Sequence, residues 1–332
     1  MTRAETPGLA GPDVALTDEI GGRLADVEEA LEKAVRSDTD FVTEAASYLV
    51  NAGGKRFRPM LVLLAGYFGD PSDRRLIDGA TAIELTHVAT LYHDDVIDEA
   101  TTRHGVPSVN ARWDNTVAIL TGDFLFAKAS EISADLGTEV TRLLARTIAT
   151  VCDGQLREVQ ASGRLQPTEG YMEVIRRKTA SLIATSCRLG GMLSDAATET
   201  IERLDDFGDA LGLAFQLSDD IMDVISTEAE LRKQPGQDMR EGVYTLPVLY
   251  ALEGAEGEEL ARLLGDGPPT GAGLDRALEI IRTDGSLGPA RAAVTAEVRR
   301  ASRIADDLEP GRARDALLTI TQFLAERCGA EV

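Results

Sequence analysis

Ala82-Ile-Glu-Leu-Thr-His-Val-Ala-Thr-Leu-Tyr-His-Asp94-Asp95-Val96-Ile97-Asp98 is a largely apolar run that ends in an acidic pentad. The arrangement returns at Leu211-Gly-Leu-Ala-Phe-Gln-Leu-Ser-Asp219-Asp220-Ile221-Met222-Asp223. Both pentads read DDxxD. On a helix, positions i and i+4 share a face, so Asp94 with Asp98, and Asp219 with Asp223, each aim two carboxylates in one direction. Like charges held so close at the end of apolar helices cost on the order of several kcal/mol unless a cation sits between them. One such pentad arises easily on a solvated helix end of an acidic chain; two, each closing an apolar helix, are hard to attribute to chance. Carboxylates without His or Cys partners suit a hard ion. Mg²⁺ in particular takes one or two carboxylates, waters and substrate phosphates, which points to a phosphorylated substrate.

Outward from these two runs the chain reads as helix after helix. Leu24, Val27, Leu31 and Val35 recur at three- and four-residue steps in 16–36, and long helices are predicted at about 73–98, 114–134, 137–161, 169–194 and 199–225. The segment from Asn51 to Pro59, with Gly53 and Gly54, reads as a loop, with Pro59 as the first helical residue of a helix over 60–68. After 226 come a polar loop, a short helix over 246–252, a Gly/Pro-rich stretch at 265–273, and amphipathic helices at about 287–307 and 311–328. No repeat of fixed period and no linker between cores is visible. The expectation is an all-α fold: residues 1–15 as a loose tail, and 16–332 as a single large helical bundle around a central cavity.

Composition narrows the function. A formal net charge of -22 opposes general nucleic-acid binding. The N-terminus lacks the basic and apolar regions of a signal peptide, and no stretch approaches the roughly 18 apolar residues of a membrane span, so a cytoplasmic location is expected. Cys152, Cys187 and Cys328 are widely spaced, without a CxxC pair, and are expected to be small buried side chains. The basic residues Lys55, Arg56 and Arg58 lie in a Gly-Gly loop feeding a helix N-terminus, where exposed N–H groups and the helix dipole favour an anion; the same loop also reads as an ordinary solvated turn. Arg103, Lys178 and Lys233, taken singly, read as surface charges, and His87 alone as a core histidine.

The ordered set GGKRFRP, IELTHVATLYHDDVIDEATTRHG, GDFLFAKA, Lys178-Thr179, FQLSDDIMDV and KQPGQDMREGVYTLP, spanning Gly53 to Leu249, resembles the trans-polyprenyl diphosphate synthases. The resemblance implies the isoprenoid-synthase type of helical bundle and a prenyltransferase that joins isopentenyl diphosphate to an allylic diphosphate, head to tail. It implies three Mg²⁺ ions held by Asp94, Asp95, Asp98, Asp219, Asp220 and Asp223. It also implies allylic diphosphate contacts from Arg103, Lys178, Thr179, Gln216 and Lys233. Gly54, Lys55, Arg58 and His87 match the isopentenyl diphosphate site, and a homodimer is expected. Two positions depart from the family pattern. His104 stands where a second Arg is common, which puts the affinity for isopentenyl diphosphate in doubt, and Val243 stands where a Lys often contacts the allylic diphosphate.

In this family the product grows beside the helix that ends in the first pentad. Ala82, Thr86, Ala89 and Thr90 form a stripe of small residues there, and over three turns of about 5.4 Å each they leave room for a product of C30 or longer. The same stripe also serves close helix packing, and Phe124 or Phe126 could floor the space or belong to the core. The rival readings are a short-chain geranylgeranyl or farnesyl diphosphate synthase, a terpene cyclase, and a non-catalytic helical partner subunit. Lys55, Arg58 and His87 argue against the cyclase, and six retained aspartates against the partner subunit. Peripheral membrane contact for product release stays open.

Overall fold

The computed structural model describes residues 13–226, 235–265 and 267–330. Among them the architecture is helical: α1 (Val14–Ala34), α2 (Asp40–Asn51), α3 (Phe57–Ala65), α4 (Arg75–Ile97), α5 (Val109–Arg112), α6 (Asn115–Asp135), α7 (Thr138–Ala161), α8 (Thr168–Ile175), α9 (Ser181–Leu193) and α10 (Thr198–Ile225). Then follow α11 (Gln237–Arg240), α12 (Leu246–Ala251), α13 (Gly257–Gly265), α14 (Ala272–Thr283), α15 (Leu287–Asp306) and α16 (Arg312–Cys328). A π-helical segment, Arg176–Ala180, joins α8 to α9. The sheet content among described residues is one two-residue hairpin, β1 (Thr102–Arg103) against β2 (Val106–Pro107). No described helix is long and apolar enough to cross a membrane.

These elements cluster into two compact units. The first holds residues up to 149, 182–208 and 305–320; the second holds 150–181, 209–304 and 321–332. In the first unit α4 is the central rod. It buries residues all round its circumference, from Leu76 through Ile83 and Leu85 to Tyr92, as expected of a helix with no solvated stripe, and α1, α3 and α6 pack on it. The Tyr92 hydroxyl, fully buried, donates to Ala45 O at 2.7 Å and so ties α4 to α2. In the second unit the lower half of α10 buries Leu211, Leu213, Ala214, Leu217, Ile221 and Val224, which places the second pentad at the end of a core helix.

The predicted helix limits hold to within a residue or two for α4, α6, α7, α10, α15 and α16. Three readings are corrected. First, α2 runs to Asn51 and α3 starts at Phe57, two residues before Pro59, which shortens the predicted loop to 52–56. Proline is tolerated there because first-turn N–H groups have no intrahelical acceptor to lose. Second, α13 and α14 flank the Gly/Pro-rich stretch; neither was predicted, since each shows only two or three turns of apolar period. Third, Cys187 and Cys328 are buried, but Cys152 is exposed. Of the expected tail, residues 1–12 lie outside the described residues, and Val14 already begins α1.

Candidate active site

The first pentad occupies the last turn of α4, with Asp98 as its C-cap and the Asp98 N–H donating to Asp94 O at 2.8 Å. Asp94 and Asp98 are half-buried, whereas Asp95 is completely buried. The Arg103 guanidinium reaches Asp95 Oδ1 from Nε at 2.7 Å and Nη2 at 2.6 Å, and Asn110 Nδ2 donates to Asp95 O at 3.1 Å. Asp95 Oδ2 is buried and accepts no hydrogen bond among the described groups. Burial pushes the Asp95 carboxyl up, and Arg103 opposes this. The β1–β2 hairpin delivers Arg103. Its two turn residues, His104 and Gly105, both have positive φ (52° and 79°), as a type I′ two-residue hairpin turn requires, and this folds the strand back on the end of α4. His93 braces the same end: its ring fits against Gly122 of α6, where any Cβ would overlap it, hydrogen-bonds Ile119 O at 3.1 Å and lies 5.6 Å from the Phe126 ring.

Beside this pentad the first unit gathers the cationic set. Lys55 is exposed, and Arg58 is half-buried in the first turn of α3. Burial holds the His87 pKa well below its usual value, and the positive charges of Arg58, Arg56 and Arg103 lower it further. His104 is lowered by burial, then by Arg103 and Arg56. Both imidazoles are therefore neutral at neutral pH, and the positive field that surrounds them comes from arginines. Arg56 itself is buried in ion pairs with Glu28 and Glu84, so it is not one of the solvent-facing cations that the loop offers.

The second pentad, in the last turns of α10, belongs to the second unit. Asp220 is 2% exposed and both its oxygens are taken: the Tyr171 hydroxyl donates to Oδ2, and Gln216 Nε2 donates to Oδ1 at 2.8 Å. Thr179 Oγ1 donates to Gln216 Oε1 at 2.9 Å, which links the predicted residues Thr179, Gln216 and Asp220 in one chain. Burial raises the Asp220 pKa to about 7; its hydrogen bonds oppose the shift, and the charges of Asp219 and Asp223 add to it. Asp219 pairs with Arg327 of α16, whose guanidinium also donates to Ser218 Oγ at 2.5 Å and Phe215 O at 3.3 Å. Asp223 Oδ2 accepts the Asp238 N–H at 3.3 Å. Lys178 donates to Glu158 Oε1 at 2.5 Å. Lys233 lies outside the described residues.

Lys178 and Thr179 sit in the π segment, a distortion that recurs at functional sites. Gly154 of α7 makes room for it: a Cβ there would stand 2.6 Å from Lys178 N and 2.9 Å from Arg177 Cβ. Tyr171, Glu158, Asn110 and Arg327 were not foreseen from sequence. Only Gly154-Gln155, a glycine in mid-helix, carried a local signal.

Along α4, Ala82, Thr86 and Ala89 are buried and Thr90 half-buried, with the threonine hydroxyls satisfied by Ala82 O and His87 O on their own helix. A cavity of about 330 Å³ opens between α6 and α7, lined by Phe126, Ser130, Ser133, Thr141, Leu144, Ala145 and Ile148. None of the four small residues lines it.

Among the described residues no group of three or more His, Cys, Asp or Glu side chains gathers closely enough to hold an ion unaided. The donors at the pentads are nevertheless all carboxylates, and Asp95 leaves a buried oxygen without a partner. That set fits a hard divalent ion whose remaining ligands are substrate phosphates and water.

A family model described as polyprenyl synthetase matches residues 39–281. The nonaprenyl diphosphate synthase of Mycobacterium tuberculosis is 41% identical over 93% of this chain and 94% of its own length. The heptaprenyl diphosphate synthase component 2 of Geobacillus stearothermophilus is 40% identical over 92% of this chain and 95% of its own. The crystal structure of geranylgeranyl pyrophosphate synthase from Corynebacterium glutamicum, complexed with calcium and isoprenyl diphosphate, superposes with a TM-score of 0.85 at 41% identity, covering 95% of this chain and 98% of that one. With its motifs in order, its helices in the same fold and its length matched almost end to end, the chain belongs to the polyprenyl synthetase family.

Proposed function

We propose that this prenyltransferase condenses isopentenyl diphosphate with an allylic diphosphate, repeatedly, to a product of C30 or longer. The observation that carries the reaction class is the pairing of two carboxylate pentads with separate cationic groups: Lys55, Arg58 and His87 in the first unit, and Lys178 with the Thr179–Gln216–Asp220 chain in the second.

Mg²⁺, when bound at the aspartates, neutralises charge developing on the departing diphosphate. Arg103 holds Asp95 so that Asp94 and Asp98 face outward from the helix end. Tyr171 and Gln216 hold Asp220 beside Asp219, while Asp223 is buried against the Asp238 N–H. Lys178 and Thr179 offer donors to the allylic diphosphate, with Lys233 as a third. Lys55 and Arg58 bind the isopentenyl diphosphate, Gly54 belongs to the same connection, and neutral His87 and His104 add hydrogen bonds rather than charge. The double bond of isopentenyl diphosphate attacks the allylic carbon as the carbon–oxygen bond to diphosphate breaks, and a proton then leaves to the departing diphosphate. This sequence needs no Ser, Cys or His nucleophile.

The small stripe Ala82, Thr86, Ala89 and Thr90 favours a long product, because those four positions of α4 carry no bulky side chain; His93, the next residue on that face, is packed against Gly122 of α6. The 41% identity to a geranylgeranyl pyrophosphate synthase favours a C20 product instead, and this reading stands beside the first. We further propose that the chain acts as a homodimer with three Mg²⁺ ions per active site. The name of a component-2 relative makes a second subunit the alternative. The test is incubation of purified protein with Mg²⁺, labelled isopentenyl diphosphate and, separately, C5, C10, C15 and C20 allylic diphosphates, with chain-length measurement of the products. Products of C30 or more support the long reading, and a stop at C15 or C20 overturns it. No consumption with any starter overturns the condensation itself.

A further inference from the structure

Between exposed Lys55 and half-buried Arg58 lies a third cation that does something different. Arg56 is 4% exposed and has a left-handed backbone, φ 46° and ψ 38°, which crowds the Cβ of any L residue. Four of the five guanidinium N–H groups are engaged. Nε and Nη2 grip Glu28 of α1 at 2.6 and 3.1 Å, Nη1 reaches Glu84 of α4 at 2.9 Å, and Nη2 also donates to Val50 O of α2 at 2.8 Å. The Arg56 carbonyl accepts the Met60 N–H at 2.9 Å and so starts α3. One residue therefore ties the 52–56 connection to three helices and sets the direction of a fourth. Gly54 packs against this arrangement: a Cβ there would stand 2.9 Å from Arg56 Nη1 and 3.9 Å from Glu84 Oε1. Glu84 lies three residues before His87 on the same helix, so the latch also fixes the loop relative to that imidazole.

We propose that Arg56, locked by Glu28 and Glu84, is a positioning residue for isopentenyl diphosphate. It never touches the substrate; it holds the backbone between Lys55 and Arg58 so that both cations meet one diphosphate. Gly54 serves the site through Arg56, by leaving room for the guanidinium, rather than through its own contact with phosphate. This rests on the reading of Lys55 and Arg58 as the isopentenyl diphosphate site.

The experiment is a double-mutant cycle on Gly54→Ala and Arg56→Met, with KM measured separately for isopentenyl diphosphate and for a fixed allylic diphosphate. Each single variant is expected to raise KM for isopentenyl diphosphate about tenfold, with the allylic KM within about twofold of its starting value. The double variant is expected to be no worse than Arg56→Met alone. Multiplicative effects would mean that Gly54 acts on the substrate directly, and would overturn the proposal. So would a parallel loss in both KM values and kcat. If Arg56→Met does not fold, Glu28→Gln, at a carboxylate 42% exposed, replaces it in the cycle with the same expected direction. Lys55→Met is the control: an unchanged KM for isopentenyl diphosphate there would overturn the site reading itself, independently of the latch.

Discussion

The two pentads have the same spelling but are supported differently. In each, the second aspartate is buried; Asp94, Asp98 and Asp219 are half-buried, whereas Asp223 is buried too, its Oδ2 accepting the Asp238 N–H. Asp95 is given a cation, Arg103. Asp220 is given two neutral donors, Tyr171 and Gln216, while Asp219 and Asp223 press on it with like charge. Each pentad thus has an arginine against its three aspartates, but on different members: at the first it sits on the buried Asp95. At the second, Arg327 offsets only Asp219. A repeated motif therefore does not imply a repeated environment: the buried carboxylate of the first pentad has a cation beside it, and that of the second has neutral donors.

The largest expected effect ignores the difference: Asp94→Ala or Asp219→Ala lowers turnover by about a hundredfold or more while the circular-dichroism helix signal is unchanged. Near-normal turnover for both would break the metal assignment at both ends. The next effect separates the pentads. Asp95→Asn strands the Arg103 charge and is expected to cost about 2 kcal/mol in urea unfolding, whereas Asp220→Asn removes an uncompensated carboxylate and should cost less than about 1 kcal/mol. Equal costs would mean that the two supports are equivalent after all. Tyr171→Phe leaves one buried Asp220 oxygen without its donor, for about 1 kcal/mol of stability. It should raise the allylic KM more than the isopentenyl KM, as steady-state kinetics with each substrate varied would read.

The smallest effect concerns acid. His87 has a depressed pKa in the folded chain, so below about 6.5 the unfolded chain takes up a proton that the folded one refuses, and stability falls as pH falls. His87→Gln should remove that part of the slope when unfolding midpoints are compared from pH 7 to pH 5. An identical slope would place the acid sensitivity elsewhere.

Much of this was legible in the residues. The long helices were readable because α1 and α10 keep an apolar period for five turns or more, and α4 and α6 run as long without a proline. The pentads were readable because repulsive charge at the end of an apolar run demands an explanation. The start of α3 was not, since Pro59 looks the same to a reader at the first helical position as at the third. Arg56 was hidden for a related reason: an arginine beside two glycines reads as solvated, and only the arrival of Glu28 and Glu84 from elsewhere in the chain makes it internal. Tyr171 and Glu158 sit in ordinary amphipathic helices and owe their place to the tertiary fold. Lys233 and the surrounding 227–234 segment lie outside the described residues, so that contact stays with the resemblance that suggested it.

The π segment at Arg176–Ala180 also acts as a phase adjustment. A single surplus residue advances everything before it by about 100° around the helix axis relative to a continuous α-helix. Tyr171 lies upstream of the segment and Thr179 inside it, yet both work on the same hydrogen-bonded chain at Asp220. Deleting one residue between 176 and 180 would leave composition and charge almost untouched while turning the tyrosine away from its carboxylate. In this stretch, residue count constrains the sequence as firmly as residue type.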